Sequence, residues 1–208
     1  MTLTVYHSPM MRSLRVIWLL EEMGITDYDL KLIPRADVYD FAKTPEYQAV
    51  NPLAKFPAIT DGDLTMVEST AIMEYLLDKY GDHGLVPERG TPDYGRYLQW
   101  LHFGESGMGT YGIMLFAHTV LLPEKRRAKG VAIWAKAETD KCLEFLGTRL
   151  EGREWLCGDQ FTAADISVGY MLYLLKMIKQ FDSAPQSVKD YWNRVKARPA
   201  FAKMSRLT

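Results

Sequence analysis

Cysteine is scarce: the 208 residues contain only Cys142 and Cys157. Two are too few for a disulfide-stapled fold, and their spacing is not C-x-x-C, so a dithiol redox centre is excluded. A surplus of one charge is also missing, since 25 Lys and Arg stand against 26 Asp and Glu. A chain built mainly to neutralise nucleic-acid phosphates or an anionic membrane needs a cationic excess, so neither partner is expected. No stretch reaches about 18 uninterrupted apolar residues, so no membrane span is expected. The opening MTLTVYHS lacks a basic start followed by an apolar signal core. A cytoplasmic protein with free thiols is the expectation. The four histidines show no metal-ligand spacing, and no metal is expected.

Otherwise the composition is that of an ordinary globular protein, 48% hydrophobic and 25% charged. The length allows one large or two small domains, and a core that folds without crosslinks. The one mild excess is eleven Met with eight Phe, five Trp and twelve Tyr. Such residues suit adaptable apolar surface, although core packing uses them equally well.

Alternation of polar and apolar residues predicts a strand over 2–6, and a dense apolar run ending at Gly24 predicts a helix over 13–23. Tyr28, Leu30 and Leu32 alternate as a second strand. A short helix is expected near 44–50, then two β-rich runs around Asp61-Gly62 as a hairpin, then a helix over 69–80 stopped by Gly81. The order β-α-β-α-β-β-α describes a small α/β domain over 1–80. Residues 81–92 are rich in Gly, Pro and charge and read as a linker. Segments 93–117, 123–149, 162–180 and 185–197 show helical periodicity, so 93–208 reads as an all-helical domain.

The informative stretch is Asn51 to Ser69, NPLAKFPAITDGDLTMVES. Pro57 sits at the start of a central strand, one of the few strand positions that tolerate proline. A cis Phe56–Pro57 bond would turn the Phe56 backbone away from the ladder and toward an extended peptide-like ligand. A trans strand start is the alternative. Glu68-Ser69 opens the next helix, whose N-terminus suits a carboxylate, while Glu68 suits an ammonium. Together they would hold an α-amino acid head group. Ser69 as a simple N-cap is the alternative.

Pro57, Asp61-Gly62 and Glu68-Ser69 at this spacing resemble the cis-proline, hairpin and Glu-Ser motif of the glutathione S-transferase superfamily. HSPMMRSLRVIWLLEEMG and the later AIMEYL resemble a bacterial and fungal branch of it, and the likeness covers essentially the whole chain. Phe161-Thr162-Ala163-Ala164-Asp165-Ile166 matches the family's capping box with a hydrophobic staple, a folding element rather than a catalytic one. The resemblance implies a thioredoxin-like N-terminal domain, a helical C-terminal domain, glutathione as substrate and a homodimer. Ser69 would hold the γ-glutamyl carboxylate, Glu68 the amino group, Phe56 beside Pro57 the cysteinyl backbone, and Lys55 the glycine end. A solvated Lys55 is the alternative.

Glutathione's thiol must become a thiolate to attack, which a hydroxyl donor at the first helix's start would favour. Aligned on Leu14-Arg15-Val16, the family's usual Ser or Cys falls at Met10 or Met11, and methionine cannot donate a hydrogen bond. Three substitutes are Ser13, Arg12 with nearby backbone N–H groups, and Tyr6. Ser13 also reads as the helix's N-cap and Tyr6 as a packed strand aromatic; the Arg12–Ser13 helix start is favoured. Met10, Met11, Met108, Tyr111, Met114 and Phe116 are candidates to line an apolar second-substrate pocket. His102, Glu105 and His118 lie on the same helical segment without an assigned role.

The expected activity is conjugation of glutathione to small hydrophobic electrophiles, a detoxification chemistry, with glutathione-dependent peroxide reduction beside it. The alternative is a non-catalytic glutathione-binding or interaction protein. An isomerase of the maleylacetoacetate type is disfavoured because residues 8–13 lack its Ser-Ser-Cys motif.

Overall fold

A computed structural model describes residues 3–207 in two compact units, the first reaching His83 and the second running from Gly84 to Ala197. Residues from Arg198 onward belong to the first unit again. This return is absent from a division that assigns everything after residue 92 to the helical domain.

The first unit holds β1 (Thr4–His7), α1 (Ser13–Glu22), β2 (Asp29–Leu32), α2 (Val38–Phe41), α3 (Pro45–Val50), β3 (Ala58–Asp61), β4 (Leu64–Val67) and α4 (Ser69–Tyr80). The sheet order is β2-β1-β3-β4, with β1 and β2 parallel and the other pairs antiparallel. A parallel pair needs a crossover, and α1 supplies it. Gly24, at φ 69°, ends α1: its N–H reaches the Glu21 carbonyl at 3.2 Å and that of Ile25 reaches Leu20 at 2.9 Å. These two bonds form a Schellman close, which needs the left-handed backbone that glycine adopts freely. Asp61 pairs with Leu64, so the β3–β4 hairpin turns on Gly62-Asp63.

Strand alternation divides the buried residues between two faces. Val5 and His7 point to one side of β1 and Tyr6 to the other. Tyr6 joins Ile33, Val38, Ala42, Tyr47, Phe56 and Ala58 in a cluster built by α2, α3 and the turn before β3. The α2 turn was not expected from sequence; at four residues it is too short to show periodicity. Leu14 and Val16–Leu20 of α1 are fully buried, as are Ile72, Met73 and Leu76 of α4.

The second unit holds α5 (Pro92–His102), α6 (Met108–Phe116), α7 (Lys129–Leu150), α8 (Ala163–Met177) and α9 (Gln186–Lys196). The expected helix over 93–117 is interrupted by a π-helical turn at Phe103–Gly107, and α6 runs into a second at Ala117–Leu121. A Cβ at Gly104 would run into Ser167 of α8, so glycine permits the helices' close approach. The Ser167 hydroxyl donates to the Leu101 carbonyl across that contact at 2.7 Å. α8 is buried along nearly its whole length. The sixth C-terminal helix, α10 (Pro199–Met204), packs in the first unit through Phe201 edge-on to Trp18, ring centroids 5.1 Å apart. Among the described residues, no helix is long and apolar enough to cross a membrane.

Candidate active site

The register Ala58↔Val67 sets the start of β3 beside the end of β4, so Phe56-Pro57 and Glu68-Ser69 meet at one corner of the sheet. The Phe56–Pro57 bond is cis, and the ladder begins only at Ala58, so the Phe56 backbone lies outside the sheet's pairing. The preceding carbonyl is fixed. Lys55 C=O accepts from both Tyr47 Oη and Asn51 Nδ2, each at 2.6 Å. The Phe56 ring stacks on Tyr47 at 4.7 Å. Burial pushes the Tyr47 phenol well above its ordinary range, which keeps it protonated as a donor. Tyr47 and Asn51 are positioning residues that sequence did not single out. The Lys55 side chain is exposed.

Glu68 occupies the cap position of α4 at φ 72°, ψ 109°, and makes no side-chain cap bond. A non-glycine residue in that region is strained by about 1–3 kcal/mol. Ser69 is the first helical residue, not the N-cap, which corrects the capping alternative. Its buried hydroxyl accepts from Arg15 Nη1 at 3.1 Å. Arg15, on α1, is completely buried. The first-turn N–H groups of α4 and the Arg15 guanidinium therefore place positive potential around Ser69. Arg15 entered the sequence reading only as an alignment anchor; a lone arginine in an apolar run was the available signal.

The α1 start differs from expectation. Ser13 is the first helical residue and Arg12 holds the cap position without a side-chain bond, so Ser13 is not the N-cap. Ser13 is fully buried, and its Oγ lies 2.8 Å from His7 Nδ1, turned into the protein rather than to the helix's own N–H groups. Burial lowers the His7 pKa, against a smaller raising effect of the Leu207 carbonyl 3.0 Å from Nε2. Tyr6 packs 5.4 Å from Tyr47 with 6% exposure, as a strand aromatic does. Arg12, Met10 and Met11 are partly exposed, and Met10 sits at φ 65°. Met11 packs on the Tyr6 cluster. Ser8 Oγ is buried and has no hydrogen-bond partner among the described residues.

Of the expected second-substrate residues, Met108, the first residue of α6, is 1% exposed and is buried in the helical unit. Phe116 is also buried. Tyr111 and Met114 are partly exposed, and Tyr111 stands edge-on to Trp134 at 5.4 Å. A cavity of about 440 Å³ in the helical unit is lined by polar residues including Arg96, Arg153 and Asp159, with none of the expected residues. The Cys157 thiol at that cavity is pushed up to about 12, and Cys142 is raised too, both chiefly by burial. Neither supplies a thiolate near neutrality. Among the described residues, no three His, Cys, Asp or Glu side chains gather to hold a metal.

A four-stranded α/β unit with a cis-proline corner whose Phe56 backbone lies outside the ladder, followed by an all-helical unit, defines the thioredoxin-like class with a helical extension. The chain belongs to the glutathione S-transferase family: that family's N-terminal domain matches residues 1–78 and its C-terminal domain residues 122–202. A glutathione S-transferase of Hyoscyamus muticus is 31% identical over 206 residues, covering 95% of each chain. A glutathione transferase structure from Burkholderia graminis, with two glutathione molecules bound per subunit, superposes with TM-score 0.86 at 30% identity, covering 98% of this chain and 87% of that one. One from Phanerochaete chrysosporium in complex with oxidized glutathione gives TM-score 0.85 at 28% identity, covering 100% and 98%.

Proposed function

We propose that this chain binds glutathione along the Phe56–Ser69 corner and transfers it to small hydrophobic electrophiles. The observation behind this reading is the juxtaposition of the Phe56 backbone, outside the ladder, with the open N-terminus of α4 at Ser69. An extended γ-glutamyl peptide pairs its cysteinyl unit with Phe56, sets its α-carboxylate on the α4 N–H groups and Ser69, and offers its ammonium to Glu68. Lys55, exposed beside this corner, takes the glycine carboxylate. The bound glutathiones in related structures support the ligand class.

The sulfur then lies toward the α1 start. The thiolate is favoured there by the partial positive charge of the α1 N-terminus and by Arg12, since Ser13 is engaged with His7 and the two Met side chains carry no donor. The thiolate attacks the electrophilic carbon, a carbon–sulfur bond forms, and the leaving group departs with its electron pair. In peroxide reduction the same thiolate attacks the peroxide oxygen, the O–O bond breaks and the alcohol leaves, and a second glutathione then reacts with the sulfenic acid to give glutathione disulfide and water. The partly exposed Met10 and Met11 beside the α1 start supply apolar contact for the second substrate, and assembly as a homodimer belongs to the same reading.

Calorimetry with glutathione and turnover of 1-chloro-2,4-dinitrobenzene and cumene hydroperoxide test this. Ser69→Ala should weaken glutathione binding about tenfold, the loss of a charge-assisted hydrogen bond. Folded protein with neither binding nor turnover would sink the reading. A non-catalytic glutathione-binding protein is the second reading, favoured by the missing hydroxyl at Met10 and Met11. Binding without turnover of either substrate would select it.

A further inference from the structure

We propose that His7 is a positioning residue that ties Leu207 to the first turn of α1 and so sets how strongly that turn stabilises a bound thiolate. The inference rests on the reading that glutathione's sulfur lies at the α1 start.

His7 is the last residue of β1 and is completely buried, yet both of its ring nitrogens are engaged. Nε2 meets the Leu207 carbonyl at 3.0 Å, and Nδ1 meets Ser13 Oγ at 2.8 Å. A carbonyl only accepts, so Nε2 carries the proton. Burial disfavours the imidazolium, so Nδ1 is the acceptor and the Ser13 hydroxyl donates to it. One neutral ring thus fixes the direction of both bonds.

Two consequences follow. The only proton of the Ser13 hydroxyl is directed at His7, so Ser13 is not the donor to sulfur. The remaining contributors are the backbone N–H groups and the Arg12 charge, and these act only from a fixed position. His7 fixes it by joining the end of β1, the first residue of α1 and residue 207 through a single ring.

The tie is one end of a longer clasp. At the far end of α1, Arg198 grips Glu22 with two bonds of 2.7 Å, while Trp18 Nε1 donates to the same carboxylate at 3.0 Å. Phe201 packs on Trp18, and Lys203 bonds Glu21 at 2.8 Å. Residues 198–207 therefore hold α1 from Glu22 through to Ser13. Helix ends far from the sulfur fix the clasp; Leu207 delivers it to the site.

The test compares the parent with a protein ending at Arg206, which lacks the Leu207 carbonyl, and with His7→Leu and His7→Gln. Gln keeps an amide donor group and a carbonyl acceptor; Leu keeps neither. The readouts are the pKa of bound glutathione's thiol, followed by thiolate ultraviolet absorbance, and the separate values of kcat and KM. Truncation and His7→Leu should raise the thiol pKa by about one unit, a tenfold loss of thiolate near neutrality. His7→Gln should recover much of this. KM for glutathione should stay within about twofold, because the Phe56–Ser69 corner is untouched. An unchanged thiol pKa in folded truncated protein overturns the proposal, and that variant decides if His7→Leu does not fold. Nitrogen NMR of the ligand-free parent keeps the two readings separable. Failure to bind glutathione removes the functional reading alone, whereas a His7 ring protonated at Nδ1 overturns the tie by itself.

Discussion

Two buried oxygen-bearing side chains at the rim of the sheet are in opposite situations. The hydroxyl of Ser8 is enclosed with no partner among the described residues, and burying an unpaired hydroxyl costs about 1–3 kcal/mol. Ser8→Ala should therefore leave stability unchanged or raise it by about 1 kcal/mol, measured by urea denaturation. A drop in stability would mean the hydroxyl has a partner in solution. Asp61, by contrast, accepts from Lys79 Nζ and, at 2.7 Å, from Tyr75 Oη. The Lys79 hydrogen bond foremost holds its carboxyl below the ordinary 3.8. A depressed carboxylate pKa stabilises the fold fully above 3.8 and loses that contribution as pH falls through the lower folded value. Asp61→Asn should cost about 1 kcal/mol at neutral pH and nothing once both proteins are below the transition. Unfolding curves that stay parallel down to the acid limb would contradict this. The place of the Glu68-Ser69 pair was legible in sequence because a helix start is set locally. The partner of Ser13 was not: His7 faces it only because β1 ends where α1 begins, and Leu207 closes the bond from 200 residues away.

At the scale of elements, legibility follows how local the determining contacts are. The α8 start was readable because Thr162 and Asp165 cap within one turn, with Thr162 N–H on Asp165 Oδ2 at 2.8 Å and Phe161 and Ile166 buried on either side. Sequence did not show that the other carboxylate oxygen accepts from Leu156 N–H at 3.1 Å and Tyr191 Oη at 2.9 Å. Asp165 therefore joins α8 to the 155–157 turn and to α9 as well as capping its own helix. Thr162→Ala should cost about 1 kcal/mol, the ordinary value of a lost cap. Asp165→Ala should cost about 3 kcal/mol, because three further donors are left buried without an acceptor. Equal costs in chemical denaturation would show that the α9 link contributes nothing. The π-helical turns flanking α6 were missed for the opposite reason. An extra residue in one turn leaves no compositional signature, and the turn at Phe103–Gly107 contains Gly104, whose close approach to Ser167 is a contact with another helix.

For the molecule as a whole, motif order revealed an α/β unit followed by a helical one, because each unit's periodicity is written continuously. The return of residues 198–207 to the first unit was not visible, since α10 is a six-residue amphipathic turn whose partner could be any apolar surface. Its anchor is ionic. Glu22 has a side-chain exposure of 7% and accepts from Trp18 and from both sides of the Arg198 fork. Removing one member of a largely buried pair leaves the other charge uncompensated, which costs more than the pair itself contributes. Arg198 is 29% exposed on its own side, so water enters to relieve part of that cost. Arg198→Ala should therefore lower stability by about 2 kcal/mol, below the range for a fully enclosed pair. Arg198→Lys keeps the charge but loses the bidentate fit, and should fall between the two proteins. The same Ala variant should speed proteolysis after residue 197, measured by mass spectrometry of the released fragments, because the segment's opening then costs less than global unfolding. Stability and cleavage indistinguishable from the parent would mean that the other contacts, Phe201 on Trp18, Lys203 with Glu21 and Leu207 with His7, hold the segment without the Arg198 fork.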